Sequence, residues 1–306
     1  MGRFLLKRIG QALFILWGVT VVTFILSYLI PADPVRMIAG RSASADTVAS
    51  IRQQLGLDQP LPVQYARYLS RLVQGDLGRS YVQKTNVSEL IASRLPATLL
   101  LMAGAIFFEL LLGLSAGLIA ATQRGRATDQ TVMVLSFVGV SAPQFVVGLL
   151  LLYVFAYLLD WFPLGGYGTF SHLILPALTL GITGAGWYSR MTRSATIDVL
   201  RQDYIRTARA KGVPESQVIL VHGLRNAILP VVAMIGLDIG IFMSGAVVVE
   251  SVFGWPGIGQ LAWQAIQRVD IPIIMGVTLV AAIAIVIGNL LADIATSLLD
   301  PRVSLR

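Results

Sequence analysis

Asp203–Arg225 reads DYIRTARAKGVPESQVILVHGLR, and how this polar, basic stretch folds decides what kind of chain it belongs to. It lies between two long apolar segments. Ile205, Ala208 and Ala210 run up to a break at Gly212-Val213-Pro214, and Val218, Ile219 and Val221 follow it. Good helix formers lead to Lys211, Gly212 is permissive for the backbone, and Pro214 suits a first helical turn with Glu215 beside it. The pattern predicts two short helices joined by a bend, outside the membrane. The same residues also fit a solvated basic surface loop.

Outward from that stretch the chain is a membrane protein. Of its 306 residues 56% are hydrophobic and only 13% charged, against about 25% charged in soluble domains. Mean hydropathy is +0.75. The net charge of +7 reads first as an orientation signal and as attraction to membrane lipid. No aromatic-basic module supports nucleic-acid binding. Cysteine is absent and histidine is limited to His172 and His222, which excludes disulfides and thiolate chemistry and argues against a transition-metal centre.

Uncharged runs long enough to cross a bilayer, about 20 residues, predict six spans: Gly10–Ile30, Leu95–Thr122, Thr131–Leu159, Leu173–Ser189, Ile228–Val249 and Ile271–Ala292. Pro31 and Pro34 end the first span, which is kept as a span and not a cleaved leader. Gly113/Gly117 and Gly236/Gly240 have the spacing that lets helices approach closely. Pro143 interrupts the third span. Pro176 and Gly181, Gly184 and Gly186 make the fourth irregular. The expected fold is all-α with six transmembrane helices. The expected domains are a tail and first span (1–31), an external helical loop (32–94) and a five-helix core (95–306) that carries the 203–225 connection. Within the loop, Ala45–Leu55 and Pro62–Val73 read as amphipathic helices, the latter with Tyr65, Leu69, Leu72 and Val73 on one stripe. Val87–Arg94 reads as a short helix leading into the second span.

Lysine and arginine set the orientation. Arg3, Lys7 and Arg8 precede the first span. Arg124 and Arg126 lie in the 123–130 turn. Arg190, Arg193, Arg201, Arg206, Arg209, Lys211 and Arg225 crowd the 190–225 connection, whereas 160–172 has none and 250–270 has only Arg268. Both termini and the 203–225 stretch are therefore expected in the cytoplasm.

No phosphate-binding glycine loop with its lysine, HExxH or serine-elbow pattern is present. The chain is expected to be a non-enzyme with no bound cofactor, ATP and Mg belonging to other subunits. Glu109 and Asp238 fall inside spans, where a charge costs about 2.5 kcal/mol or more. They read either as pathway or gating groups, with Pro143 and Pro176, or as hydrogen-bonded packing residues.

The 203–230 stretch resembles the signature loop of ABC importer permeases: Arg206-Thr207-Ala208 stands at Glu-Ala-Ala, Gly212 at the glycine, His222 at the isoleucine and Leu224-Arg225 at Leu-Pro. The form RTARAKG…HxLRNA…P is similar to that of the dipeptide, oligopeptide and nickel permeases. So are Asp33-Pro34, Gln54–Pro60, Gly75–Ser80, Leu95–Thr98, Ser141–Pro143, Leu175–Gly181 and Val249–Gly259. The resemblance runs the length of the chain and points to the first of two permease subunits.

It implies a second homologous permease, two cytoplasmic ATPase subunits, an extracytoplasmic solute-binding protein and a bacterial inner-membrane location. Arg206, Thr207, Ala208, Arg209, Ala210, Lys211, Gly212, Val213, Pro214, Glu215, His222, Leu224 and Arg225 become the candidates for coupling to an ATPase. Gly254, Trp255, Pro256 and Gly257 become candidates for contact with the binding protein. Di- or oligopeptides are the expected cargo, with glutathione or nickel complexes as alternatives. An ion-coupled carrier is the competing class, although such carriers usually have more spans.

Overall fold

The structure, a computed structural model, describes residues 2–29, 35, 43–54, 56–243 and 246–299. Pro31, Asp33-Pro34, Leu55 and the tail beyond residue 299 lie outside the described residues. The described chain is helical: α1 (Gly2–Leu29), α2 (Ala45–Gln54), α3 (Leu61–Val73), α4 (Val87–Thr122), α5 (Ala127–Ser141), α6 (Gln144–Leu151), α7 (Phe170–Leu200), α8 (Asp203–Ala210), α9 (Glu215–Ala227), α10 (Leu229–Met243), α11 (Val247–Val252), α12 (Ile258–Arg268) and α13 (Ile271–Leu299). It divides into two compact units.

The first unit holds residues 1–98, 243–247 and 257–284. Here α3 lies on α1 through a small aromatic cluster. The Tyr65 and Thr20 hydroxyls share a 2.9 Å hydrogen bond. Phe24 meets Tyr65 edge-on at 5.2 Å and stacks on Tyr68 at 6.0 Å. The expected stripe is shifted by this contact: Tyr68 joins it, and Val73 is left 87% exposed.

The first turn of α13 is anchored by Asp270, which is only 1% exposed. Its carboxylate accepts from the Ser80 hydroxyl and from the backbone N–H groups of Tyr81 and Val82, the latter two at 3.2 Å. Removing a buried acceptor leaves its donors unpaired, at about 1–3 kcal/mol each. Asp270→Ala is therefore expected to destabilise the protein by at least about 2 kcal/mol. Asp270→Asn, which keeps one acceptor oxygen, should lose less. Thermal melting of the purified protein measures both.

The second unit holds residues 99–242, 248–256 and 285–306, and α7 is its centre. The sequence predicts an irregular fourth span ending near Ser189; instead a continuous helix runs to Leu200 with Pro176 buried inside it. Its glycines are a packing surface, not breaks. A β-carbon on Gly113 of α4 would stand 2.9 Å from the Ala185 carbonyl, and one on Gly117 would stand 2.7 Å from the Thr192 Cβ. On another face, a β-carbon on Gly186 would come within 2.6 Å of Val140 of α5. Glycine is required wherever backbones approach this closely. Near the C-terminal end of α7, Arg193 grips Asp129 of α5 with two bonds of 2.6 and 2.7 Å. Asp129 also accepts from the Gly125 N–H at 2.9 Å.

The expected third span is not one helix. Ala142 and Pro143 interrupt it, and α5 meets the helix that follows at 103°. Proline cannot donate to the preceding turn and disfavours helix at the residue before it, so Pro143 starts α6 anew. Beyond α6 the chain widens into a π-helical stretch, Leu152–Leu158. The expected short helix Val87–Arg94 is the beginning of α4 itself. On α10, Gly236 and Gly240 face Gly288, Ala292 and Ile285 of α13.

Among the described residues, Arg8–Ser27, Val87–Thr122 and Ile271–Thr296 are long and apolar enough to cross a membrane. Two bent pairs, α5 with its continuation and α9 with α10, raise the number to five. The fold is thus all-α and multi-span. α7 is not among them, because threonine, serine, glycine and arginine dilute its hydropathy. It is covered by neighbouring helices instead.

Candidate functional site

The 203–225 stretch is folded, not slack. α8 is one amphipathic turn-pair whose apolar anchor, Ile205, is fully buried, as are Val218 and Ala227 of α9. The helix ends at Lys211, and Gly212 takes the left-handed conformation with φ +77°. The Gly212 N–H bonds to the Arg209 carbonyl at 3.0 Å and the Val213 N–H to the Ala208 carbonyl at 3.2 Å. This paired closure, with proline next, is the Schellman stop.

Arg209 then reaches across the bend to Glu215 with bonds of 3.0 and 2.6 Å. Its guanidinium holds the Glu215 carboxyl below the usual range. Both side chains are substantially exposed, so the pair fixes direction more than it adds stability. The Asn226 amide donates to the Tyr204 hydroxyl at 2.7 Å, which fastens α8 to α9.

Against this folded base the candidate residues point outward. Arg206, Thr207, Arg209, Ala210, Lys211, Gly212, Pro214, Glu215, His222 and Arg225 are exposed, while Ala208, Val213 and Leu224 are half-buried. No atom of the chain lies within 4 Å of the β-carbon position of Gly212. α9 widens into a π-helix at Val218–Gly223, a feature frequent at functional sites. It leaves Leu220 and Val221 about half exposed. Sequence reading misses Tyr204 and Asn226 as fasteners because their contact spans 22 positions. It groups Val221 with the apolar Val218 and Ile219 and passes over Leu220, because a regular helical period does not describe a π turn.

A second constellation lies inside the unit. Glu109 of α4 is 3% exposed. It sits one turn from Gly113 and lies against Gly184 of α7, where a β-carbon would overlap its carboxyl. The Glu109 and Asp238 carboxyls are in hydrogen-bonding contact, and the Tyr188 hydroxyl donates to Asp238. Residues of α4, α7 and α10 therefore meet at one polar point. Pro143, at the α5–α6 bend, is exposed, and Pro176 is buried. The structure brings neither of them to that point.

In the segment that follows α11 the Phe253 carbonyl accepts from the Gly166 N–H at 2.8 Å. Trp255 is 1% exposed and packs edge-on against Tyr167 at 4.9 Å. Trp255 is therefore a core residue, and Gly257 is buried as well. Gly254 is exposed and Pro256 half-buried.

Comparisons with known proteins agree along the whole chain. Residues 113–305 match the family described as the inner membrane component of binding-protein-dependent transport systems. Residues 1–102 match the N-terminal family of the same transport-system membrane components. The glutathione transport system permease protein GsiC of Salmonella paratyphi A is 44% identical over 303 residues, covering 99% of both chains. Its counterpart in Escherichia coli K12 is 42% identical over the same length. Among solved structures, the inward-facing MetNI methionine ABC transporter aligns with a TM-score of 0.59 at 16% identity, covering 69% of this chain and 96% of that one. At that identity the likeness concerns the fold. The chain is thus a member of the binding-protein-dependent transport system inner membrane component family, a non-catalytic ABC importer permease subunit homologous to GsiC.

Proposed function

We propose that this chain forms half of the translocation pathway of an ATP-driven glutathione importer, and that a cytoplasmic ATPase subunit docks at the α8–α9 bend. The observation that carries the cargo is the full-length identity of 44% with a glutathione permease. It moves the reading from the di- or oligopeptides expected from sequence to the alternative, glutathione, which is itself a tripeptide.

The bend supports the coupling role. It is rigid at its base through Ile205, Val218 and Tyr204, and it offers Arg206, Lys211 and open space at Gly212 to a partner. A stiff, outward-pointing element can transmit force to the helices it continues into, and α9 leads directly into α10. Exposed cations there would meet acidic or carbonyl acceptors, with a salt-sensitive share.

In the same reading there are six crossings: α1, α4, α5 with α6, α7, α10 with α11, and α13. Both termini lie inside, and residues 32–94 lie outside, where a binding protein delivers solute to this chain and a second permease. Gly254 and Pro256 remain the accessible part of the outer segment for that contact.

Reconstitution tests the cargo. Vesicles carrying both permeases, the ATPases and the cognate binding protein are expected to accumulate glutathione in an ATP-dependent way. Glutathione should also raise the melting temperature of that binding protein by several degrees, because a ligand that binds only the folded form stabilises it. Uptake of dipeptides with no response to glutathione would overturn the cargo.

A further inference from the structure

Glu109 and Asp238 touch each other in the interior of a membrane protein, and that contact has a chemical consequence. Two carboxylates in hydrogen-bond contact repel strongly where the dielectric is low, and acids this close share a proton. Among the described residues no lysine, arginine or histidine pairs with either one. The groups facing the pair are Tyr188 of α7, whose hydroxyl donates to Asp238, and the Gly184 backbone.

The donor inventory then assigns the proton. Asp238 is half-buried and already accepts from Tyr188, so it takes the acceptor role. Glu109 is 3% exposed, and its second oxygen has no hydrogen-bond partner. An ionised group so enclosed would carry an unsolvated charge.

We propose that Glu109 and Asp238 form a buried proton-binding site, in which Glu109 holds a single proton and donates it to the Asp238 carboxylate. The site is a latch between α10 and the α4–α7 pair. α4 and α7 are locked to each other by Gly113, Gly117, Gly181 and Gly184, whereas Gly236 and Gly240 pack α10 against α13, so α10 meets the α4–α7 pair as a separate member. Moving it away separates the two carboxyls and leaves Asp238 with Tyr188 alone. The proposal depends on the chain being a membrane permease, not on its cargo.

Infrared spectroscopy of the assembled transporter in lipid nanodiscs at neutral pH tests it. The difference spectrum of parent minus Glu109→Gln is expected to contain the carbonyl band of a protonated carboxylic acid. Asp238→Asn should keep that band but shift it, because the proton acceptor changes. Glu109→Gln, an isosteric neutral donor, should melt near the parent, and Glu109→Leu well below it. Absence of the band from the difference spectrum overturns the site. Should Glu109→Gln fail to assemble, Asp238→Asn decides alone: a shifted acid band supports the shared proton, and an unmoved one overturns it.

Discussion

Gly212→Asp is expected to lower ATP-driven uptake by about 30- to 100-fold, the equivalent of losing about 2–3 kcal/mol of partner contact, while leaving the protein inserted and folded. Gly212 has φ +77°, and a side chain in that conformation costs about 1 kcal/mol. Asp and Asn bear it better than most residues. No atom of the same chain stands near the new β-carbon, so overpacking adds nothing. Strain of that size does not unfold a domain. A large functional loss must therefore arise where this surface meets another protein, where the aspartate adds bulk and a negative charge beside Arg206 and Lys211. Gly212→Asn separates the two contributions, since it repeats the shape without the charge. Uptake and binding-protein-stimulated ATP turnover both at parental levels in Gly212→Asp would show that the bend is not a docking point.

Arg193→Ala is expected to destabilise the protein more than any exposed substitution in the 203–225 stretch. Asp129 is 4% exposed at its side chain, and Arg193 is 28% exposed. Removing the arginine strands a carboxylate that keeps only the Gly125 N–H. Breaking a buried pair from one side costs 3–5 kcal/mol, and the partial exposure of Arg193 brings the expectation to about 2–3 kcal/mol. Arg193→Lys should recover part of this, because a point charge cannot form the fork of two bonds. The double variant Arg193→Ala, Asp129→Asn should be more stable than Arg193→Ala alone, since the stranded charge is gone. Melting curves in detergent decide it. A single variant as stable as the parent would mean that water already solvates Asp129.

How much of this was legible beforehand follows from which forces act locally. The break at Gly212-Val213-Pro214 is a local backbone property, and the structure realises it as a helix stop followed by a bend. Spans one, two and six are apolar over almost their whole length, and composition alone finds them. The α7 helix defeats the same reading. Its Gly181, Gly184 and Gly186 look like interruptions in one dimension, whereas in three they are the places where α4 and α5 come closest. Pro143 was visible, but a proline in a span does not announce a bend of 103°. Glu109 and Asp238 were each conspicuous as charges in apolar runs. Their pairing was not, because it joins α4 to α10 between residues 129 positions apart in the chain. Trp255 sits in a glycine- and proline-rich segment and reads as surface, yet it is buried and packs on Tyr167. Cargo leaves no local mark on these residues, and only full-length kinship points to it.

Site-directed cross-linking at Lys211 probes the coupling role most directly, and because this chain has no native cysteine, Lys211→Cys is its single thiol. Lys211 is exposed beside Gly212. In active transporter carrying Lys211→Cys, a short bifunctional reagent is expected to join this chain to the ATPase subunit, and more efficiently when ATP is bound. An impermeant thiol reagent added outside intact cells should leave the position unlabelled. Labelling from outside, or a fully active complex in which Lys211→Cys never joins the ATPase, would contradict coupling through this bend.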